Sequence, residues 1–219
     1  MIQTLSPVPT EEAADVVRAA HHQIGNSLQS IASLLRMESR LAPPAAAAVL
    51  SEAGRRVRTV MHLHQRLQEG GDAVRLDDLL GDVCRDVSEL DAFDRRAEIR
   101  LEVQPLWASA KVASALAMIT AEWVGNALEH GLADRPGRVE VTLAATDGGA
   151  RLVVADTGRG TTDGDWTPGF GLNLVANLAR QLRGRVRRTA DRHGARFELE
   201  APGPRLEPFE PGMDPRRTS

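Results

Sequence analysis

Apolar residues recur at alternating spacings of four and three along two long segments at the start of the chain. In the segment Glu11–Ala42 the recurring apolar or weakly polar positions are Val17, His21, Ile24, Leu28, Ile31 and Leu35. In the segment from about Ala45 to Glu69 they are Leu50, Ala53, Val57, Val60, His64 and Leu67. Such spacing predicts helices that each carry one apolar seam. Pro43 and Pro44 interrupt the pattern, so we expect two helices joined by a short turn as an antiparallel hairpin.

This hairpin is predicted to span residues 11–72, because Gly70 and Gly71 end the second helix. A single pair of seamed helices leaves part of its apolar surface in contact with water. Pairing with a second copy of the chain into a four-helix bundle would cover that surface. We therefore expect a homodimer that forms through the hairpin.

Beyond the hairpin the pattern changes to a mixture of helices and short strands. Leu76–Leu90 has the spacing of a helix that connects the hairpin to this mixed region. The next segments are predicted, in order, as strand 98–103, helix 109–131, strands 138–145 and 151–155, helix 172–182, and strands 185–189 and 195–200. This order predicts an α+β chain, in which the hairpin precedes an α/β sandwich over residues 73–202. Four prolines within residues 203–219 predict a disordered tail.

The composition narrows the class of protein. A net charge of −3 over 219 residues gives no reason to expect a nucleic-acid partner. The single cysteine, Cys84, excludes a disulfide framework, and no apolar run reaches the roughly 20 residues that a membrane span needs. No signal-peptide pattern is visible, so we expect a soluble cytoplasmic protein. Because only about ten residues precede the first helix, we expect any stimulus to come from a separate sensor protein.

Three short blocks in the second half of the chain carry the candidate chemistry. They are Glu122-Trp123-Val124-Gly125-Asn126, Asp156-Thr157-Gly158-Arg159-Gly160 and Gly169-Phe170-Gly171-Leu172. Together they offer what a nucleoside triphosphate requires of a protein surface. Those requirements are a hydrogen-bond acceptor for the base, a metal ligand, and backbone N–H groups for the phosphates.

Each block suits one of these requirements. Asp156 ends an apolar strand and is followed by two glycines, so its carboxylate lies where the backbone can approach a ring closely. Asn126 follows Glu122 by four residues on a predicted helix, so both side chains share a face, and an amide oxygen is a suitable Mg²⁺ ligand. Gly169 and Gly171 precede the helix that begins at Leu172, where a helix N-terminus favours anionic phosphate.

These blocks resemble the N box and the two glycine boxes of the ATPase domain shared by gyrase, Hsp90, MutL and histidine kinases. The resemblance runs from about Leu106 to Pro202 and includes the final strand segment Gly194–Leu199. It implies ATP and Mg²⁺ as cofactors, with Asp156, Gly158, Gly160, Gly169, Gly171 and Leu172 among the nucleotide-binding residues. It further assigns the adenine to Asp156 and Mg²⁺ to Asn126. Glu122 would act near the γ-phosphate, and His130 would line the nucleotide pocket.

Two adjacent histidines on the first helix are the second informative feature. His21 falls on the apolar seam and should be partly buried, whereas His22 lies about 100° around the helix, where a partner can reach it. A neutral imidazole can attack a γ-phosphorus without prior activation, so His22 is the better candidate nucleophile.

The segment from His21 to Gln29 also resembles the phosphoacceptor helix of histidine kinases that carry the pattern H-R-x-K-N-x-L-Q, close to the HWE kinases. This resemblance covers most of residues 15–90 and points to His22 as well. It implies a kinase that phosphorylates itself on His22 and passes the phosphoryl group to an aspartate on the receiver domain of a response regulator.

Three positions depart from this family pattern. Gln23 and Gly25 replace arginine and lysine beside the phosphoacceptor, and Glu129 replaces the usual lysine of the N box. An anion on the helix that faces the triphosphate is expected to weaken ATP binding. This leaves open a relay module that exchanges phosphoryl groups through His22 without using ATP. A serine kinase with the same ATPase fold would explain the second half of the chain but not the hairpin.

Overall fold

A computed structural model describes residues 11–70, 73–90, 97–133, 135–160, 170–202 and 206–208 of the chain. Its first two elements are the helices α1 (Glu11–Leu41) and α2 (Pro44–Gly70), which pack together as a hairpin. Pro44 opens α2, where its missing N–H costs nothing, and Pro43 O accepts the first helical hydrogen bond from Ala47 N at 2.8 Å. The predicted hairpin and its proline turn are therefore confirmed.

The seam between α1 and α2 differs in part from the predicted one. Ala32 is the most buried apolar residue of α1, and Leu28 and Leu35 are half-buried beside it. Ile24 and Ile31 are instead 46% and 45% exposed, so α2 does not cover these two positions of the predicted seam. A helix of 3.6 residues per turn does not keep a strict seven-residue repeat on one line, and the single partner helix covers only one flank of it. On α2, Val60 is exposed for the same reason.

After the hairpin come the short strand β1 (Ala73–Arg75) and the predicted connecting helix α3 (Leu76–Leu90). The next two strands are β2 (Ala97–Val103) and β3 (Leu106–Ser109). β3 pairs on one side with β1 and on the other with the last strand, β8 (Glu207–Pro208). This small three-stranded sheet was not predicted. The described part of the tail, residues 206–208, is thus ordered by pairing, against the prediction of disorder there.

The main sheet has five strands in the order β2-β4-β5-β7-β6. Besides β2, its strands are β4 (Gly137–Thr146), β5 (Gly149–Asp156), β6 (Arg185–Asp191) and β7 (Gly194–Pro202). β2 and β4 are parallel and the other pairs are antiparallel, so the predicted mixed sheet is confirmed.

The remaining helices are α4 (Ala110–Asn126), which continues as a π-helical segment (Ala127–Leu132), and α5 (Phe170–Gln181). α4 is buried along most of its length, including Trp123, which is 0% exposed and stacks on Phe197 of β7 with ring centroids 5.6 Å apart. Alternate residues of β4, β5 and β7 are buried on the face that the helices cover. The predicted two-layer α/β architecture is confirmed.

Two further predictions concern the core and the membrane. Cys84 of α3 is buried in the apolar core, and burial raises the pKa of its thiol to about 12, which suits a packing role. Among the described residues, the structure contains no helix with the length and apolar character to cross a bilayer.

Candidate functional site

Glu122 and Asn126 lie one turn apart on α4, so their side chains leave the helix on the same face. Glu122 is 3% exposed although it is a carboxylate, whereas Asn126 is half-buried. Burial raises the pKa of Glu122, and the Arg56 guanidinium partly opposes that rise. A buried carboxylate with a raised pKa beside a polar amide is a common feature of sites that bind or transform a ligand.

A π-helical segment follows Asn126 directly. Ala133 N donates to Leu128 O at 2.8 Å, and Ala133 ends the segment with a φ of 48°. The predicted helix over 109–131 therefore has the correct extent but changes type after Asn126. Wider helical turns of this kind are frequent at functional sites because they re-aim the side chains that come after them. The π-helical segment carries Glu129, which is half-buried, and His130, whose side chain is exposed.

Asp156 occupies the last position of β5 and is 9% exposed. Its Oδ1 accepts a hydrogen bond from the backbone N–H of Gly158 at 2.8 Å. Burial raises the pKa of Asp156, and the Gly158 N–H opposes that rise by stabilising the carboxylate. The carboxylate is therefore held in a fixed direction at the end of a buried strand, as an acceptor for a ligand amino group must be.

Glycines surround the carboxylate of Asp156. A Cβ on Gly131 would lie 2.8 Å from Asp156 Oδ1, and a Cβ on Gly158 would lie 2.7 Å from the same atom. The backbone holds these glycines together, since Arg159 N donates to Gly131 O at 3.0 Å. Because no side chain stands over the carboxylate at these positions, a flat base can approach it closely. The residues present thus fit the adenine end of ATP.

The loop after Asp156 packs backbone against backbone on the turn between β6 and β7. Gly160 has a φ of 60°, and a Cβ on it would collide with the carbonyl of Asp191. Gly194 has a φ of 144°, and a Cβ there would collide with the carbonyl of Asp156. A cavity of about 320 Å³ lies beside this contact. Its polar lining residues are Asp156, Thr189, Asp191, His193 and Arg196.

Sequence reasoning missed the residues that the β6–β7 turn contributes to this cavity. It treated Asp191–Gly194 only as a connection between strands. The antiparallel pairing of β5 with β7 brings that turn beside Asp156, and this is a long-range contact that no local pattern announces.

The opposite end of the site lies at the start of α5. Gly171 is buried, and a Cβ on it would collide with Oε2 of Glu122. The predicted N box and second glycine box are therefore in direct contact, and Leu172 comes next and is half-buried. Gly169 and the loop 161–168 lie outside the described residues. A helix N-terminus beside the Asn126 face is a suitable place for phosphate groups.

Glu129, the acidic substitution in the N box, has a cationic neighbour from the hairpin. Arg55 of α2 is 4% exposed and forms an ion pair with Glu129. Its guanidinium crosses over Gly125, where a Cβ would lie 3.0 Å from Arg55 Cζ. Sequence reasoning had left the charge of Glu129 uncompensated, because Arg55 lies 74 residues away along the chain.

The next residue of α2 forms a second contact of the same kind. Arg56 Nε donates to Glu122 Oε1 at 2.7 Å, and Arg56 also pairs with Glu52 one turn earlier on α2. Glu52, Arg56 and Glu122 thus form a charged group between the hairpin and the start of α5. No sequence signal singled out Glu52, Arg55 or Arg56.

The two histidines of α1 take the positions that the seam predicts. His21 is half-buried, and its ring lies 5.1 Å from that of His64 on α2. His22 is exposed. Since α1 packs on α2, and α2 packs on α3 and α4, the candidate phosphoacceptor belongs to the outer layer of the hairpin in this arrangement.

The described residues contain no group of three or more His, Cys, Asp and Glu side chains that could hold a metal ion by themselves. Mg²⁺ commonly uses one or two protein oxygens together with phosphate oxygens and water. Asn126, half-buried at the end of α4, carries an amide oxygen of the kind such a site uses.

Comparison with known proteins adds two family matches. Residues 20–91 match a family model described as histidine kinase. Residues 111–205 match one described as histidine kinase-, DNA gyrase B-, and HSP90-like ATPase. The boundary between the two matches coincides with the passage from α3 to the main sheet and α4.

Individual relatives agree with these matches. The chain is 30% identical over 190 residues to blue-light-activated histidine kinase 2 of Erythrobacter litoralis, which covers 83% of this chain and 54% of the relative. It is also 30% identical over 169 residues to the sensor histidine kinase PdtaS of Mycobacterium tuberculosis, covering 74% of this chain and 34% of the relative. The chain therefore spans about a third to a half of the length of these curated relatives.

Solved structures show the same fold. The histidine kinase domain of the Erythrobacter litoralis EL346 blue-light-activated histidine kinase superposes with a TM-score of 0.67 at 20% identity. That superposition covers 84% of this chain and 94% of the other. At this level of identity the likeness concerns the arrangement of the hairpin and the α/β layers.

Proposed function

Because the chain belongs to the histidine kinases by both of its domain matches, we propose that it is an ATP-dependent histidine kinase core. It phosphorylates itself on His22 and then passes the phosphoryl group to an aspartate on the receiver domain of a response regulator. The observation that carries this proposal is the Asp156 carboxylate, which the Gly158 N–H holds in place and which Gly131 and Gly158 leave uncovered because they have no side chains. The same chain carries an exposed His22.

Each end of the site takes one part of ATP. Asp156 accepts a hydrogen bond from the adenine amino group, and Gly131, Gly158 and Gly160 keep the base pocket open. Asn126 would hold Mg²⁺ through its amide oxygen, and the ion would neutralise charge on the phosphate oxygens. Gly171 and Leu172 present the first turn of α5 to the phosphates. His130 and Gly169, the latter outside the described residues, are proposed to contribute to the nucleotide pocket as well.

The transfer step requires His22 to be positioned in line with the γ-phosphate. Its neutral imidazole attacks the γ-phosphorus, a P–N bond forms, and the bond from phosphorus to the bridging oxygen breaks so that ADP leaves. The proton on the other ring nitrogen passes to a carboxylate, for which Glu122 is the candidate because burial raises its pKa. In the second step a receiver aspartate attacks the same phosphorus, and the P–N bond breaks.

The hairpin surface supports a homodimer. Val16, Ile24, Ile31, Leu34 and Leu41 of α1 are between 45% and 79% exposed. At 100° per residue they fall on one stripe that is rotated away from the α2 contact and from His22. An apolar stripe on an outer helix is typical of an interface with a second copy, and burying it completes a four-helix bundle.

The relay alternative gains no support from the comparisons, because one family model describes histidine kinases, the other describes an ATPase domain, and the curated relatives are named as histidine kinases. Glu129, the acidic departure that motivated it, pairs with Arg55 of α2 in this structure. A serine kinase remains inconsistent with the hairpin match over residues 20–91.

Incubation of the purified chain with γ-labelled ATP and Mg²⁺ tests the proposal. We expect acid-labile, base-stable label on the wild type and none on His22→Ala or Asn126→Ala. Label on His22→Ala equal to that on the wild type would disprove the assignment of the nucleophile. No label from ATP, with His22 still accepting phosphoryl from a phosphorylated receiver domain, would establish the relay instead.

A further inference from the structure

A side chain of the hairpin lies at the phosphate end of the nucleotide site. The ideal Cβ position of Gly171 is 3.1 Å from Oε1 of Glu52, a residue of α2. Gly171 belongs to the first turn of α5, whose N-terminal dipole attracts anions. The proposed function assigns the phosphates of ATP to this helix start, and the inference rests on that proposed function. The carboxylate of Glu52 therefore takes a position suited to a phosphate group.

The charges at this point leave no room for a further anion. Arg56 is shared between two carboxylates, those of Glu52 and Glu122. Glu52 contributes to the raised pKa of Glu122, after the larger effect of burial, so the two acids repel each other even with Arg56 between them. A terminal phosphate placed beside them would face both carboxylates, while Arg56 is already paired with them and Arg55, whose charge also acts on Glu122, is paired with Glu129. Binding of a triphosphate thus requires Glu52 to withdraw.

A second contact holds α2 against the same face of α4. Arg55 pairs with Glu129 and lies over Gly125, while Arg56 reaches Glu122. Glu122 and Gly125 lie on α4 and Glu129 on the π-helical segment that continues it, at intervals of three and four, so the three residues form one stripe. Two consecutive arginines of α2 therefore contact both ends of this stripe.

The two halves of α2 are attached differently. Toward its end, Leu63 and Leu67 pack against the apolar core, and Arg66 pairs with Asp82 of α3 at 2.5 Å. Toward its middle, the contacts with α4 are the charged ones of Arg55 and Arg56. Arg55 and Glu122 are buried, but Glu52, Arg56 and Glu129 are half-buried, so solvent reaches at least one side of each ion pair, as it does not in the packed apolar core. The segment around Glu52–Arg56 is therefore the part of α2 suited to detach.

We propose that Glu52, Arg55 and Arg56 form an autoinhibitory latch, in which the hairpin occupies the phosphate end of its own nucleotide site. In the closed state Glu52 excludes the γ-phosphate. Arg56 holds the Glu122 carboxylate in an ion pair, so that Glu122 cannot accept the proton of His22. Binding of MgATP and closure of the latch oppose each other, so whatever loosens this part of α2 raises the affinity for ATP.

Nucleotide affinity of the full chain is the first test, measured by calorimetry with MgATP and with AMP. Glu52→Gln keeps the shape of the side chain but removes its charge, and Glu102→Gln, an exposed residue of strand β2 outside the hairpin, is the matched control. We expect Glu52→Gln to bind MgATP about tenfold more tightly than wild type, with AMP affinity almost unchanged, because AMP lacks the outer phosphates. Equal MgATP affinity in Glu52→Gln and wild type would overturn the latch.

Hydrogen exchange without nucleotide provides a test that does not depend on kinase activity. Arg55→Ala should speed exchange of the α2 amides around residues 50–60, whereas Arg36→Ala, an exposed arginine of α1, should not. Combining Arg55→Glu with Glu129→Arg should restore protection by reversing the pair. Unchanged exchange in Arg55→Ala would overturn the latch.

The two proposals fail differently. If neither wild type nor Glu52→Gln binds MgATP, the proposed kinase function fails, and the inhibitory role of Glu52 fails with it. If both bind MgATP equally and the wild type labels on His22, the kinase function stands and the latch alone is wrong.

Discussion

The imidazole rings of His21 and His64 lie 5.1 Å apart across the hairpin, tilted by 55°. His64 Nε2 also approaches the backbone oxygen of His21 at 3.3 Å. This contact fixes the rotation of α1 about its axis at the site of interest. Because successive residues of a helix point about 100° apart, fixing His21 inward turns His22 out to solvent.

The first prediction separates the roles of these neighbours. His21→Ala should retain label from γ-labelled ATP, because it removes a packing contact and leaves the nucleophile in place. It should also lower the unfolding free energy by about 1 kcal/mol, the size of an aromatic pair. Label and thermal unfolding of His21→Ala and His22→Ala, measured side by side, check both points. Loss of label in His21→Ala with full label in His22→Ala would reverse the assignment.

Much of this structure could be predicted from short-range patterns. The proline turn, the connecting helix α3 and the strands of the main sheet each produce a local signal of period or of turn residues. The three blocks that end at Asn126, Gly160 and Leu172 indicated the nucleotide site because their residue types suit one ligand. Asp156 was expected at a strand end because it follows the apolar run 151–155, and it lies there.

The rest depends on contacts between segments that are distant along the chain. β1 and β8 have three and two residues, too few for an alternating pattern, and they exist because β3 lies between them. Glu129 was recognised as an acidic substitution, but its partner Arg55 could be identified only once α2 was seen on α4. The exposure of Ile24 and Ile31 likewise depends on which flank of α1 its partner helix covers.

The second prediction concerns the glycines around Asp156. Gly158→Ala would place a methyl group 2.7 Å from Asp156 Oδ1, which is closer than atoms in contact normally approach. The carboxylate or the loop must shift, so we expect affinity for ATP, ADP and AMP to fall alike, by about tenfold or more, equivalent to roughly 1.4 kcal/mol. Gly148→Ala, in a turn where the added carbon meets nothing within 4 Å, is the matched control.

Calorimetric titration of all three nucleotides distinguishes this effect from a phosphate effect. A loss confined to ATP would place Gly158 at the phosphate end and contradict the adenine assignment of Asp156. Unchanged nucleotide binding in Gly158→Ala would show that the glycines around Asp156 do not take part in the nucleotide site.

The third prediction concerns the exposed apolar stripe of α1. Replacing Ile24 and Ile31 together by glutamate puts charges at the centre of the proposed interface while leaving the α2 contact intact. We expect the dimer to dissociate, because burying an unpaired carboxylate in an apolar interface is strongly unfavourable. Sedimentation over a range of concentrations measures it. Val186→Glu on strand β6, which is 42% exposed and far from the stripe in sequence, is the control. A wild-type chain that stays monomeric at all concentrations would refute the dimer.

The fourth prediction compares the same glycine-to-alanine change at two helix positions, one where the added methyl group has space and one where it meets Arg55. Alanine favours an α-helix over glycine by about 1 kcal/mol, so a glycine-to-alanine change in a helix interior should stabilise the fold if space allows. Gly81 of α3 has nothing within 4 Å of its added carbon, and Gly81→Ala should therefore raise the melting temperature. Gly125 of α4 has the guanidinium of Arg55 at 3.0 Å from that carbon, so Gly125→Ala displaces Arg55 from its position beside Glu129.

Displacing a buried, paired arginine costs more than the helix gains, because Arg55 and Glu129 then lose a partner in a partly buried position. Gly125→Ala should thus fail to stabilise the fold, and its α2 amides near Arg55 should exchange faster than in Gly81→Ala. Thermal melts and hydrogen exchange of the two variants, which carry the same chemical change, measure the difference directly. If Gly125→Ala is stabilised as much as Gly81→Ala and its α2 amides stay protected, Arg55 does not hold α2 on α4.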